Sequence, residues 1–182
     1  TYQSVSGAGK SAMEELAKQT ASLLNAREVK TEAFSRQIAF NAIPQIDAFQ
    51  DNDYTKEEMK MVWETQKIMG DDSILVNATA VRVPVFYGHA EAIHLETRAP
   101  IDAEQVKQLL ADAPGVTLYE GAEQFPTQVS SASGNDNVHV GRVRNDITHP
   151  CGLNLWVVSD NIRKGAATNS IQIAETLIQD YL

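Results

Sequence analysis

An α+β fold, with a sheet covered on one face by helices, is what this sequence predicts. Segments with apolar residues at helical spacing stand near both ends of the chain. The centre is broken into short apolar or alternating stretches bounded by Gly, Pro, Asn and Asp, as strands are. Composition sets the scale: 182 residues, 43% hydrophobic and 21% charged, suit one ordinary globular domain over 1–182. Such a chain buries roughly 70% of the surface its unfolded form exposes.

The elements follow in order. Gly7 and Gly9 precede Met13, Leu16, Ala17, Thr20 and Leu24, whose i, i+3, i+4 spacing predicts a helix over 8–24. Residues 38–49 contain Pro44, which cannot donate to a ladder, and read as an irregular strand or sheet edge. After the Asp51-Asn52-Asp53 loop, Thr55 and Glu58 have the form of a capping box ahead of Met59, Val62 and Trp63. That helix should end near Gly70. Over 73–96 the chain turns β-like: Ile74, Val76, Ala78 and Ala80 share one face of a strand that breaks at Pro84 before a second begins. Asp102 with Gln105 opens a short helix through Leu110, stopped by Pro114-Gly115. Residues 116–119 form a brief strand. The stretch 121–137 is rich in Ser, Gly, Asn and Gln without a period and reads as a long surface loop. Strands resume at 138–144 and 153–158, and Ala167, Ile171, Ala174, Ile178 and Tyr181 give a final helix.

Charge narrows the function. Fifteen Lys and Arg against 24 Asp and Glu leave a net charge of −9, which opposes a phosphate-tracking surface and an anionic membrane alike. Neither nucleic acid nor a membrane is expected as a partner. Apolar runs such as Ile74-Leu75-Val76 fall far short of the roughly 20 residues of a spanning helix, and no signal peptide is visible. Cys151 has no second cysteine to pair with, and in its Pro-Cys-Gly turn only His149 is at hand to lower its pKa, so it reads as an incidental loop thiol. No HExxH, GxGxxG, P-loop or cysteine pair occurs. His89 and His94 are an odd number of residues apart on one predicted strand, so they point to opposite faces and cannot share a metal. No metal is expected. Glu57 and Lys60, three apart, share a helix face, where a first-turn acid and an i, i+3 ion pair are routine solvated features. Arg82, ending an otherwise apolar strand, suits either a bound carboxylate or phosphate or a structural ion pair.

Four stretches, TYQSVSGAG, YTKEEMKMVWETQKIM, VRVPVFYGH and GLNLWVVSDNIRKGAATNSIQIAE, resemble in content and order the bacterial aspartate-β-semialdehyde dehydrogenases. The resemblance runs from Thr1 to the C-terminus. It implies the C-terminal catalytic and dimerisation domain alone, a mixed, mainly antiparallel sheet with helices packed on one face, similar to the C-terminal domain of glyceraldehyde-3-phosphate dehydrogenase. It also implies a cytoplasmic homodimeric enzyme. That enzyme reduces β-aspartyl phosphate with NADPH, releasing phosphate, on the route to lysine, threonine, methionine and diaminopimelate. The family's nucleophilic cysteine and most of its NADP site lie upstream of the segment matching Thr1, so Cys151 inherits no role and this chain alone is expected to be inactive. A non-catalytic, self-associating domain is the alternative.

Carried over residue by residue, the resemblance implies that Gln3 orients the thioester or hemithioacetal and that His89 is the general acid and base. Arg82 would grip the substrate carboxylate, Glu57 the substrate ammonium, and Lys60 would help bind phosphate. An amino-acid acyl phosphate needs just such cations and such an anion. A reductase of N-acetylglutamyl phosphate fits less well, because an acylated amine needs no acid at Glu57. Ser6, Gly7 and Gly9 at a helix start, and Asn169 with Gln172 on the last helix, would line the nicotinamide side of the cofactor site, although the glycines serve equally well as a plain turn. The terminal segments 1–24 and 165–182 would pack toward the N-terminal NADP-binding domain.

Overall fold

The computed structural model describes residues 1–121 and 123–182 and divides into two compact units, Thr1–Phe86 and Tyr87–Leu182. The first unit has little regular sheet. Strand β1 (Tyr2–Gln3) runs parallel to β2 (Val81–Arg82), with Gln3 opposite Arg82. Helix α1 (Lys10–Leu24) follows a 3₁₀ turn at Val5–Ala8. Helix α2 (Lys56–Met69) has the expected capping box at Thr55 and Glu58, and Gly70 closes it in the left-handed conformation. Val5, Ala12, Leu16, Ile38, Ala39 and Ile43 form the core.

Three sequence expectations in this unit need correction. The buried face of α1 is Ala12, Glu15, Leu16 and Gln19, while Ala17 and Leu24 of the expected stripe are exposed. Two polar residues take the inward positions because backbone N–H groups of residues 32–39 bind to them. Residues 38–49 form no regular strand; the edge reading holds only locally, at the isolated Ile43–Arg82 bridge beside β2, with a second bridge at Phe49–Thr55. Residues 74–80 alternate as expected, with Ile74, Val76, Ala78 and Ala80 more buried than their neighbours, yet they join no ladder before β2. Side chains take up part of their backbone instead: Ala80 N–H donates to Glu58 (2.8 Å), and Gln66 Nε2 donates to the Ile74 carbonyl (3.0 Å).

The second unit carries the mixed, mainly antiparallel sheet. Its strands are β3 (His89–Glu96), β4 (Val116–Leu118), β5 (Val138–Asn145) and β6 (Gly152–Ser159), in the spatial order β3-β6-β5-β4. The β3–β6 and β5–β6 pairs are antiparallel and β4–β5 is parallel. Helix α3 (Ala103–Ala111), capped by Asp102 and Gln105 as expected, lays Ala103, Val106 and Leu110 against Val140, Val143, Leu153 and Leu155 on one face. Ala90, Val158 and Trp156 on the other face meet Ala132. Ala132 belongs to the stretch expected as a plain surface loop, of which Ala122 lies outside the described residues. The rest of that stretch is ordered by packing: Gln128–Ala132 makes a π-helical turn, Trp156 Nε1 donates to the Pro126 carbonyl (2.9 Å), and a Cβ on Gly141 would lie 2.6 Å from Pro126 Cδ. Helix α4 (Thr168–Tyr181) buries none of its residues. Among the described residues no helix is long and apolar enough to cross a membrane.

Candidate functional site

Four of the candidate residues converge within the first unit, and short local structures place each one. Parallel pairing puts Gln3 beside Arg82, the Val83 N–H donating to the Gln3 carbonyl at 3.0 Å. Arg82 exchanges both backbone hydrogen bonds with Ile43, at 2.8 and 3.0 Å, so its backbone is fixed on two sides. The capping box starts α2 at Lys56 and so places Glu57 in the first turn with Lys60 one turn on. Glu57 then becomes the hub: Gln3 Nε2 donates to its Oε1 at 3.0 Å, and Lys60 Nζ lies 3.3 Å from its Oε2.

Arg82 is 5% exposed as a residue, and its guanidinium donates through Nη1 to the Ser4 carbonyl at 2.7 Å. Burial pulls its pKa below the ordinary value, and the Glu57 carboxylate pushes it back up. Arg82 also borders a cleft of about 180 Å³, with Ala8, Ala33, Phe34, Ser35 and Ile43 among its walls. The arrangement therefore contains a buried planar cation, a carboxylate, an amide and a half-exposed ammonium. These are complementary to a small zwitterion carrying a further anionic group. Next to Glu57 in α2, Glu58 accepts from the N–H groups of Thr55 and Ala80, both at 2.8 Å. Burial works to raise the Glu58 carboxyl, but these bonds outweigh it and its pKa lies below the usual range.

The remaining candidates divide between the units. Ser6 is buried beside Ser4, their hydroxyls 3.1 Å apart. Gly7 lies in the 3₁₀ turn, and Gly9 caps α1 with φ +90° and open space around a would-be Cβ. His89 opens β3 opposite Ser159 in the second unit, behind Gly88, which has φ +84° and packs against Gln128 and Ala132. Strand alternation puts His89 on the Ile93 and Leu95 face and His94 on the opposite one. There His94 Nε2 lies 2.6 Å from Asp146 Oδ2, so the two histidines diverge as expected. Asn169 sits in the first turn of α4, and Gln172 accepts from Lys164 Nζ at 2.6 Å. Among the described residues no group of three or more His, Cys, Asp and Glu could hold a metal. The sequence pointed to neither Ser4 nor Lys164. Ser4 acts through its carbonyl, which no residue type reveals, whereas Lys164 lies in the RKGAATN stretch that already drew attention to Asn169.

The semialdehyde dehydrogenase dimerisation-domain family matches residues 1–164. This chain belongs to that family. Aspartate-semialdehyde dehydrogenase 2 of Vibrio cholerae serotype O1 is 69% identical over 181 residues, covering 100% of the chain and 53% of that relative. The crystal structure of aspartate semialdehyde dehydrogenase II from Vibrio cholerae complexed with ASA superposes with a TM-score of 0.96 at 68% identity, over 100% of this chain and 54% of that one. The aspartate semialdehyde dehydrogenase with NADP from Candida albicans matches at a TM-score of 0.62 and 29% identity, over 78% of this chain and 45% of that one. This semialdehyde dehydrogenase dimerisation domain thus spans about half the length of the curated relatives it matches.

Proposed function

We propose that this chain is the substrate-binding, acid–base and dimerising half of an NADP-dependent aspartate-semialdehyde dehydrogenase, which reduces β-aspartyl phosphate to aspartate semialdehyde and releases phosphate. The Glu57 hub with Gln3, Lys60 and Arg82 carries the reading. The substrate has a carboxylate for Arg82, an ammonium for Glu57 and a phosphate for Lys60. Gln3, hydrogen-bonded to Glu57, orients the acyl group. His89 gives and takes the proton as the acyl group moves on and off a thiol of the N-terminal half, a task suited to an imidazole near neutrality. The Vibrio relative crystallised with ASA supports the substrate class, and the Candida structure with NADP supports the cofactor.

Two features of the chain support that cofactor. Gly9 leaves its backbone open to close approach, and Gln172 offers an amide already oriented by Lys164. Bound NADPH supplies the hydride. Ser6, Gly7, Gly9, Asn169 and Gln172 bind and orient it, the terminal segments 1–24 and 165–182 facing the N-terminal half. A homodimer in the cytoplasm completes the reading. The test compares the chain alone with the full-length enzyme that contains it, in an assay of NADPH oxidation by β-aspartyl phosphate. The full-length enzyme turns over and the isolated chain does not. Turnover by the isolated chain, with or without Cys151→Ser, overturns the assignment of the nucleophile to the other half.

A further inference from the structure

Helix α1 turns two polar side chains inward, 7% and 2% exposed for Glu15 and Gln19. One turn apart, they bond to each other, Gln19 Nε2 donating to Glu15 Oε1 at 3.0 Å. Glu15 Oε2 accepts from the N–H groups of Glu32 and Ala33. Gln19 Oε1 accepts from those of Ile38 (2.9 Å) and Ala39 (3.1 Å), and its Nε2 also donates to the Lys30 carbonyl (2.8 Å). The segment 30–39 contains no helix or strand, so these bonds hold both of its ends. Between the anchors lie Phe34 and Ser35, which with Ala33 wall the Arg82 cleft. Two apolar residues would bury α1 without desolvating a carboxylate, but they could not accept four N–H groups. What the polar pair supplies is the shape of the strap.

The geometry points to Glu15 and Gln19 as positioning residues for the substrate carboxylate: they fix the 30–39 strap, and the strap sets the wall facing Arg82. The inference rests on Arg82 being the carboxylate site. Glu15→Gln keeps the side-chain shape but turns an amide toward the Gln19 amide. The double swap Glu15→Gln with Gln19→Glu restores the bond between them and an acceptor for each of the four N–H groups, losing only the Lys30 contact.

The experiment uses the full-length enzyme that carries this chain, assayed with aspartate semialdehyde as the varied substrate. Amide hydrogen exchange over residues 32–39 is followed in parallel. Glu15→Gln raises KM about tenfold with kcat held within about twofold, as a displaced binding wall requires, exchange quickens, and the swap recovers most of the KM. Gln19→Met, which fills similar volume without accepting from Ile38 and Ala39, gives the same pattern should Glu15→Gln fail to fold. Faster exchange with unchanged KM overturns the inference, because the strap then moves without consequence for the site. Arg82→Lys is the separate control: if it leaves KM unchanged, the carboxylate reading itself falls, and with it the inference, whatever the strap does.

Discussion

In the Tyr87–Leu182 unit, three eight-residue strands satisfy one another, β3 and β6 along one continuous register and β5 and β6 with a single irregularity between Gly141 and Arg144. In Thr1–Phe86 the strands are two residues long, and side chains take over much of the work: Glu58 holds Thr55 and Ala80, Glu15 and Gln19 hold the 30–39 strap, and Gln66 holds Ile74. The difference teaches where each kind of group can be built. A long ladder aims one imidazole, His89, at a stated face by alternation alone. A cluster of four differently charged and polar groups needs backbone that departs from any period, and polar side chains are what stabilise such backbone.

The largest effect that would break this contrast lies on β3. In the full-length enzyme His89→Asn should lower turnover by about 10² to 10⁴, while His94→Asn, on the opposite face beside Asp146, keeps turnover and lowers stability. Steady-state kinetics paired with urea unfolding reads both. The reverse pattern, with both variants folded, refutes the assignment of His89.

Packing in the ladder unit comes next. Gly141→Ala drives a methyl to within 2.6 Å of Pro126 Cδ, and such overpacking should cost roughly 1 to 3 kcal/mol, read from the urea midpoint at constant slope. In the other unit Thr55→Ala removes the acceptor for the Glu58 N–H and should cost about 1 kcal/mol. That change also loosens the turn carrying Glu57, so KM should shift with it. A stability loss without any change in KM would separate the cap from the site.

The helices with capping boxes, the three long strands and the divergence of the two histidines were legible because each is encoded within a few residues: Thr55 with Glu58, Asp102 with Gln105, and the odd spacing of 89 and 94. The inward alternation over 74–80 was legible too. Its failure to form a strand was not, since that depends on Glu58 lying 22 residues from Ala80. The stretch after Gly121 looked like free loop because small polar residues conceal a packing contact that only Gly141 and Trp156 reveal. Within the site, the shared face of Glu57 and Lys60 was readable from spacing. The Gln3–Glu57 bond, 54 residues apart in sequence, was not, and those roles came from family resemblance alone. Glu15 and Gln19 went unnoticed because polar residues on a helix are ordinarily read as its solvent face.

The smallest effect is acid sensitivity in the ladder unit. The Thr148 N–H and hydroxyl, with His94, hold the Asp146 carboxyl at about 2, below its ordinary 3.8. The folded pKa is the lower one, so this contribution is fully present above the ordinary value and is lost as pH falls from about 4 toward 2. His139, lowered by burial, adds a loss below the ordinary imidazole range, because the unfolded chain takes up that proton first. Asp146→Asn should flatten the acid limb of a stability-versus-pH curve, and an unchanged limb removes Asp146 from the account.

The central claim is that the Glu57 hub is a substrate site and not merely an ion-pair network that holds α2 to β1. Glu57→Gln in the full-length enzyme tests it most directly, with KM for aspartate semialdehyde and the urea unfolding free energy measured on the same preparation. Charged hydrogen bonds are worth about 1.5 to 3 kcal/mol, so the account predicts a KM raised roughly tenfold to a hundredfold with unfolding free energy within about 0.5 kcal/mol of the parent. An unchanged KM accompanied by a clear loss of stability would contradict it.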